Sequence, residues 1–167
     1  MEHLKICQKY GVKMVIGTTG LSKDQAAMIK KASSKIAIVF SSNMSVGVNL
    51  AFALIRQTAK VTGKNYAIHL TETHHVHKKD APSGTAKTMA EIAEESAKIK
   101  VSNIDAIREG EVIGDHEIIF ESPVDRIGIS HHAKTRDIFA EGSLVAAKFL
   151  AKQSKGLFNM QDVLGLK

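Results

Sequence analysis

Apolar positions along the chain recur at two periods, and the changes of period mark out its elements. Residues 2–10 carry Leu4, Ile6, Cys7 and Tyr10 at helical spacing, and Gly11 stands where a C-cap belongs. Val12 to Ile16 reads as a short buried strand ending in Gly17-Thr18-Thr19-Gly20. A helix over roughly 22–33, a strand over Ile36–Phe40 and a polar loop, Ser41-Ser42-Asn43-Met44-Ser45, come next. Val46 opens a long helix to about Thr62, with Val48, Phe52, Ile55 and Ala59 on one stripe and Gly63 closing it. Alternation over Tyr66–Thr73 predicts a strand with Tyr66, Ile68 and Leu70 on one face. A helix over about 84–98 follows, with Met89, Ala90, Ala93 and Ala97 at core spacing. Three strand-like runs succeed it, at Ile104–Arg108, Glu117–Glu121 and Arg126–His131, the last two joined by the turn Ser122-Pro123-Val124-Asp125. A helix over about 137–152 and a short Gly156–Met160 segment close the chain.

The order of these elements predicts an α/β chain in two parts. Helix–strand–helix–strand alternation over residues 1–45 is the mark of a parallel α/β sheet. Two strands are too few for a sheet buried on both faces, so this stretch reads as the C-terminal part of a larger, Rossmann-like dinucleotide-binding domain. Residues 46–148 read as an α+β domain with an antiparallel or mixed sheet, and residues 149–167 as a return segment packing on the first domain. No internal repeat or low-complexity segment interrupts this plan.

Composition narrows the function classes. The 167 residues are 44% hydrophobic and 24% charged, a globular balance. No apolar run approaches the roughly 18 residues of a membrane span, and the first residues lack a secretory hydrophobic stretch. The single Cys7 cannot form an internal disulfide, which favours a reducing compartment, and the chain reads as cytoplasmic. The net charge of +6 invites a nucleic-acid reading, but 23 Lys and Arg are mixed with 17 acids and aromatics are only 5%. Without interleaved basic and stacking residues, no nucleic-acid partner is expected. A basic bias suits small anionic substrates or nucleotide phosphates equally well.

The chemistry concentrates in His74-His75-Val76-His77-Lys78-Lys79-Asp80-Ala81-Pro82-Ser83-Gly84-Thr85-Ala86. Imidazoles exchange protons near neutral pH, and an ammonium can donate one or pair with a carboxylate. Ser83 is a helix N-cap candidate, but Ala86 completes no capping box, so first-turn amides near Gly84 and Thr85 remain for an anion. Taken alone, a Ser-Gly-Thr turn is more often an ordinary capped helix. Metal binding is the rival reading of the histidines, with Asp80 and Glu72 nearby. It is disfavoured because no His-Glu-x-x-His or Cys-x-x-Cys spacing occurs and Lys78 and Lys79 repel a dication, so no metal is expected. His131-His132 is a second pair whose role spacing leaves undecided. Gly17-Thr18-Thr19-Gly20 is either a strand-to-helix turn or a place where backbone meets a flat ring or phosphate. No Gly-x-Gly-x-x-Gly occurs in the chain.

In order, these pieces resemble the dihydrodipicolinate reductase (4-hydroxy-tetrahydrodipicolinate reductase) family. The matching segments are Val15–Gly20, Asn43-Met44-Ser45-Val46-Gly47-Val48-Asn49, His74–Lys78 with Asp80–Ala86, Gly114-Asp115-His116 leading to Phe120, the His131 region with Arg136, and Gly156–Leu164. The resemblance covers essentially the whole chain, but begins partway through the family's dinucleotide domain. The first strands, the Gly-rich loop and the residue that reads the ribose have no counterpart in it.

The resemblance implies an NADPH- or NADH-dependent reduction of a cyclic dicarboxylate in lysine and diaminopimelate biosynthesis. It makes His74 the acid/base residue and Lys78 the proton donor, with His75, Lys78, Gly84 and Thr85 holding the substrate's carboxylates. Gly17, Thr18, Thr19, Ser41, Ser42, Asn43 and Met44 would line the nicotinamide half of the cofactor site. It also implies a homotetramer assembled through residues of roughly 104–131. Two expectations follow: an active oxidoreductase, or a non-catalytic fragment that folds, oligomerises and binds dicarboxylate without effective cofactor binding.

Overall fold

A computed structural model of the chain describes residues 1–166. Its elements in order are α1 (Glu2–Tyr10), β1 (Met14–Ile16), α2 (Lys23–Ala32), β2 (Ala37–Phe40), α3 (Val46–Thr62) and β3 (Ala67–His74). After these come α4 (Gly84–Ala97), β4 (Asn103–Arg108), β5 (Asp115–Glu121), β6 (Arg126–His132), α5 (Asp137–Ala151), β7 (Gly156–Phe158) and α6 (Met160–Val163). No helix among the described residues is long and apolar enough to cross a membrane.

Two compact units result: Met1–Asn49 with the stretch from Asp137 onward, and Leu50–Arg136. The breaks fall inside α3 and just before α5, so α5 packs with the first unit rather than the second. Residue 167 of the expected return segment lies outside the described residues.

In the first unit the two strands expected from the sequence gain a third, giving the order β1-β2-β7, all parallel. Central β2 is apolar on both sides because each face meets helices. Ile38 joins Leu4, Ile16, Ile29, Ala32 and Ile36 in one core layer. Ala37 and Val39 join Met44, Ala146, Leu150 and Met160 in the other. Local signals set the helix ends. Ser22 and Gln25 form a reciprocal capping box on α2, and Asn159 and Asp162 form one on α6.

The second unit is built on a four-stranded sheet of order β4-β3-β5-β6. β3 runs parallel to β4 through the α4 crossover and antiparallel to β5, so the sheet is mixed. Ile68, Leu70, Ile118 and Phe120 are fully buried with Met89 and Ala93 of α4. The C-terminal ends of β3 and β4 and the start of β5 lie at one end of this sheet.

Gly142 of α5 gives a direct test of packing in the first unit. A Cβ placed there would stand 1.8 Å from the carbonyl oxygen of Met44, a backbone atom that cannot rotate aside. Gly142→Ala should lower the urea unfolding free energy by on the order of 1–3 kcal/mol. Glu141→Ala, on the exposed side of the same helix, should change it by less than about 0.5 kcal/mol. Equal stabilities for the two variants would contradict the close approach.

Candidate functional site

Strand register brings the titratable groups of the second unit together. At the end of β3, His74 lies opposite Arg108 of β4, and Glu72 lies opposite His116 of β5. The short link from β4 to β5 crosses the end of β3. There the Glu109 amide donates to the His74 carbonyl at 2.8 Å, and the Val76 amide donates to the Gly110 carbonyl at 3.1 Å.

The alternation that buries Ile68 and Leu70 also points Glu72 and His74 inward. Glu72 is fully buried, and four donors surround its carboxylate. Arg108 grips it with Nη1 at 3.1 Å and Nη2 at 2.9 Å, the Ser83 amide donates at 3.1 Å, and Nδ1 of His74 makes a short contact to Oε2. Burial pushes this carboxyl up, but the hydrogen bonds from Arg108, His74 and Ser83 outweigh it and hold the group below the usual carboxylate range. An ionised carboxylate facing Nδ1 requires the His74 proton there.

His74 itself is held below the usual imidazole range, mainly by burial, with the Glu72 carboxylate pulling the other way. Its Nε2 lies against Gly114, where a Cβ would approach to 3.0 Å. The His116 ring packs edge-on to it, with centroids 5.1 Å apart. Ser83 is the N-cap of α4, as expected: its hydroxyl oxygen accepts from the Ala86 amide at 3.2 Å. That hydroxyl also shares a hydrogen bond with Nε2 of His116 at 3.1 Å. Burial and the adjacent His74 push His116 down to about 4.

Cationic groups gather outside this neutral pair. Lys78 Nζ meets Asp80 Oδ1 at 2.8 Å, and that contact holds the Asp80 carboxyl below its usual range. Arg136 Nη2 donates to Nε2 of His75 at 3.3 Å. Gly84 and Thr85 form the first turn of α4, and no atom stands within 4 Å of where a Gly84 side chain would be. A helix N-terminus with an ammonium and a guanidinium on the same unit is a setting for carboxylates. Of the remaining residues in the block, His77 is exposed, its ring tilted against that of His75 with centroids 6.0 Å apart and its Nε2 3.4 Å from Glu111. Among the described residues, no group of three or more His, Cys, Asp or Glu is arranged to hold a metal ion.

The first unit has a cavity of about 430 Å³ lined by Gly17, Ser42, Asn43 and Met44 with Phe139, Ala140 and Ser143. Thr18 and Thr19 are exposed and are not among its walls. Ser41 shapes the turn instead, its amide donating to the Ile16 carbonyl and its hydroxyl to that of Asn43.

Several groups at these two places are not singled out as site residues by the sequence. Arg108 and His116 sit in ordinary strands, and Phe139, Ala140 and Ser143 lie on a helix face without a motif. Glu72 did carry a sequence signal. A carboxylate in phase with Ile68 and Leu70 lies on the buried face of its strand and must have a partner there.

Sequence comparison accounts for nearly the whole chain. The family profile described as dihydrodipicolinate reductase, C-terminus, matches residues 47–164, and the one described as dihydrodipicolinate reductase, N-terminus, matches residues 1–44. A 4-hydroxy-tetrahydrodipicolinate reductase of Polynucleobacter necessarius is 46% identical over 186 aligned positions, covering 100% of this chain and 70% of the relative. One of Nitrosomonas europaea is 41% identical, with 100% and 69% covered. Among solved structures, a dipicolinate-bound dihydrodipicolinate reductase from Paenisporosarcina sp. TG-14 superposes with a TM-score of 0.76 at 23% identity, covering 96% of this chain and 68% of that one. This last likeness establishes the fold.

The buried histidine makes a prediction for stability against pH. The folded state holds His116 below its unfolded value of 6.5, so as pH falls the unfolded chain takes up the proton first. Its contribution is complete above about 6.5 and is lost as pH falls toward 4, a total of about 3 kcal/mol. Urea unfolding across this window should show stability falling with pH, and His116→Asn should flatten the slope by about one proton. Parallel slopes for the two proteins would show that His116 is not held neutral.

Proposed function

Because the chain belongs to the dihydrodipicolinate reductase family, we propose that it reduces 4-hydroxy-tetrahydrodipicolinate to tetrahydrodipicolinate with NADH or NADPH, a step of lysine and diaminopimelate biosynthesis. The observation that carries this reading is the convergence at one end of the second unit's sheet. His74, Lys78, His75 and the Gly84-Thr85 turn belong to that end, and this supports reading the first two as a proton-transfer pair beside groups suited to anions.

The first unit's cavity fits the nicotinamide end of the cofactor. Gly17 presents no side chain to it, and a Cβ there would stand 3.5 Å from Met44 Cγ. Phe139 offers a flat face, and Ser42 and Asn43 offer polar groups for a carboxamide. Gly17, Ser42, Asn43, Met44 and Phe139 would hold the ring, with Thr18, Thr19 and Ser41 shaping the turns beside it. When bound, the reduced nicotinamide supplies a hydride.

In the second unit His75, Lys78 and the Gly84-Thr85 turn hold the two carboxylates of the substrate ring. Lys78 delivers the proton, and His74 is the acid/base group beside it. We read the enzyme as cytoplasmic and as a homotetramer. The sheet face bearing Thr71, Glu117 and Ile119 is partly open, and β6 is an edge strand.

Titration of the chain with NADH and NADPH, followed by nicotinamide fluorescence, should give saturable binding, and a coupled assay should give turnover. His74→Ala should lower turnover roughly 10²–10⁴-fold with cofactor affinity unchanged. Lys78→Ala should impair both turnover and dicarboxylate affinity. A chain that binds pyridine-2,6-dicarboxylate but neither cofactor would instead be a non-catalytic dicarboxylate-binding unit.

A further inference from the structure

The proton chemistry proposed for His74 and Lys78 needs one imidazole nitrogen committed and the other open, and it needs the Lys78 turn held beside it. One ion pair does both. The Glu72 carboxylate faces Nδ1 of His74, and Nε2 has no hydrogen-bond partner among the described residues. A neutral histidine side chain in water carries its proton mostly on Nε2, so without this carboxylate the open nitrogen would be the protonated one. Arg108 holds both carboxylate oxygens in a fork. The same guanidinium donates from Nε to the Lys78 carbonyl at 3.4 Å and from Nη2 to the Asp80 carbonyl. Ser83, the cap of α4, donates its amide to the remaining side of Glu72. Three parts of the site therefore share one anchor: the His74 ring, the Lys78–Asp80 turn and the first turn of α4.

We propose that Glu72, gripped by Arg108, is the positioning carboxylate of this site, fixing His74 with its proton on Nδ1 and Nε2 open for proton exchange. The assignment rests on the reductase reading for its consequence in turnover, though not for its geometry. Glu72 touches no reacting atom. It acts through His74, and Arg108 acts through Glu72 and the backbone of the Lys78 turn. The charged and titratable groups around His74 are Glu72, Arg108, Lys78 and His116. Only Glu72 among them favours a protonated ring, so removing its charge has a defined direction.

Imidazole ¹⁵N NMR of the full chain, labelled at histidine, reads this directly. Wild-type His74 should show the Nδ1–H form. Replacing the pair together, Glu72→Leu with Arg108→Met, removes both buried charges at similar volume and should leave the chain folded. In it His74 should move to a mixture dominated by Nε2–H. If that variant does not fold, Glu72→Gln keeps the shape and should lower the His74 pKa, because the carboxylate that favours the charged ring is gone. A folded double variant that keeps the Nδ1–H form, or a Glu72→Gln chain with an unmoved His74 titration, overturns the proposal.

In the coupled assay, Glu72→Gln should lower kcat about 100-fold, with KM for the dicarboxylate changed less than about threefold. Glu72→Asp should recover part of that loss, and the acid limb of the kcat–pH profile should move with the His74 titration. Unchanged kcat beside an altered tautomer overturns the positioning role. A wild-type chain without turnover contradicts the reductase reading alone, because the NMR result still decides the assignment.

Discussion

One buried charge organises the active end of the second unit. A carboxylate removed from water costs several kcal/mol unless its oxygens are well occupied. Glu72 meets that demand by drawing four donors from three places in the chain: β3 itself, the Ser83 cap, and two nitrogens of Arg108 on β4. Each donor is thereby pinned. The histidine ring, the start of α4 and the end of β4 are located by the same two oxygen atoms, which is why a site spread over distant segments has a single geometry.

Around that anchor, charge is arranged in layers. The inner histidines are kept neutral by burial, which keeps a proton acceptor available beside a buried anion that would otherwise charge it. The outer layer, Lys78, Arg136 and the α4 N-terminus, carries positive potential of the kind the proposed dicarboxylate would need. The two layers act on different events. In the proposed reaction the outer one would act on encounter and orientation, and the inner one on the proton.

Much of this was legible in the chain because local rules wrote it. Helical spacing located α1 to α5 closely, and the Ser83 cap followed from residue type and position. The dense His74–Thr85 block marked out the end of the sheet where the buried charges gather, and its proton-and-anion reading is carried forward as a proposal. What escaped was written in pairings between distant segments. β7 is three residues long and becomes a strand only against β2, more than a hundred positions earlier. Glu72 acquires its meaning from Arg108, 36 residues away. Its phase with Ile68 and Leu70 was nonetheless readable, and a carboxylate on a buried face should prompt a search for its cation. The sequence pattern also divided the units by motif. The observed break falls inside α3, since helix continuity does not respect the boundary of a packed core.

The path of the chain has a consequence for how the molecule is made. Leu50–Arg136 is one uninterrupted stretch, whereas the other unit is assembled from both sides of it. During synthesis the inner stretch can collapse on its own sheet as soon as β6 emerges. β1 and β2 must wait with one face uncovered until α5, β7 and α6 leave the ribosome. The long sequence separation between β2 and β7 makes that closure the slow, high-contact-order step. The unit that closes last is then the one holding the proposed nicotinamide pocket, so the capacity to bind cofactor would report on the docking of α5, β7 and α6.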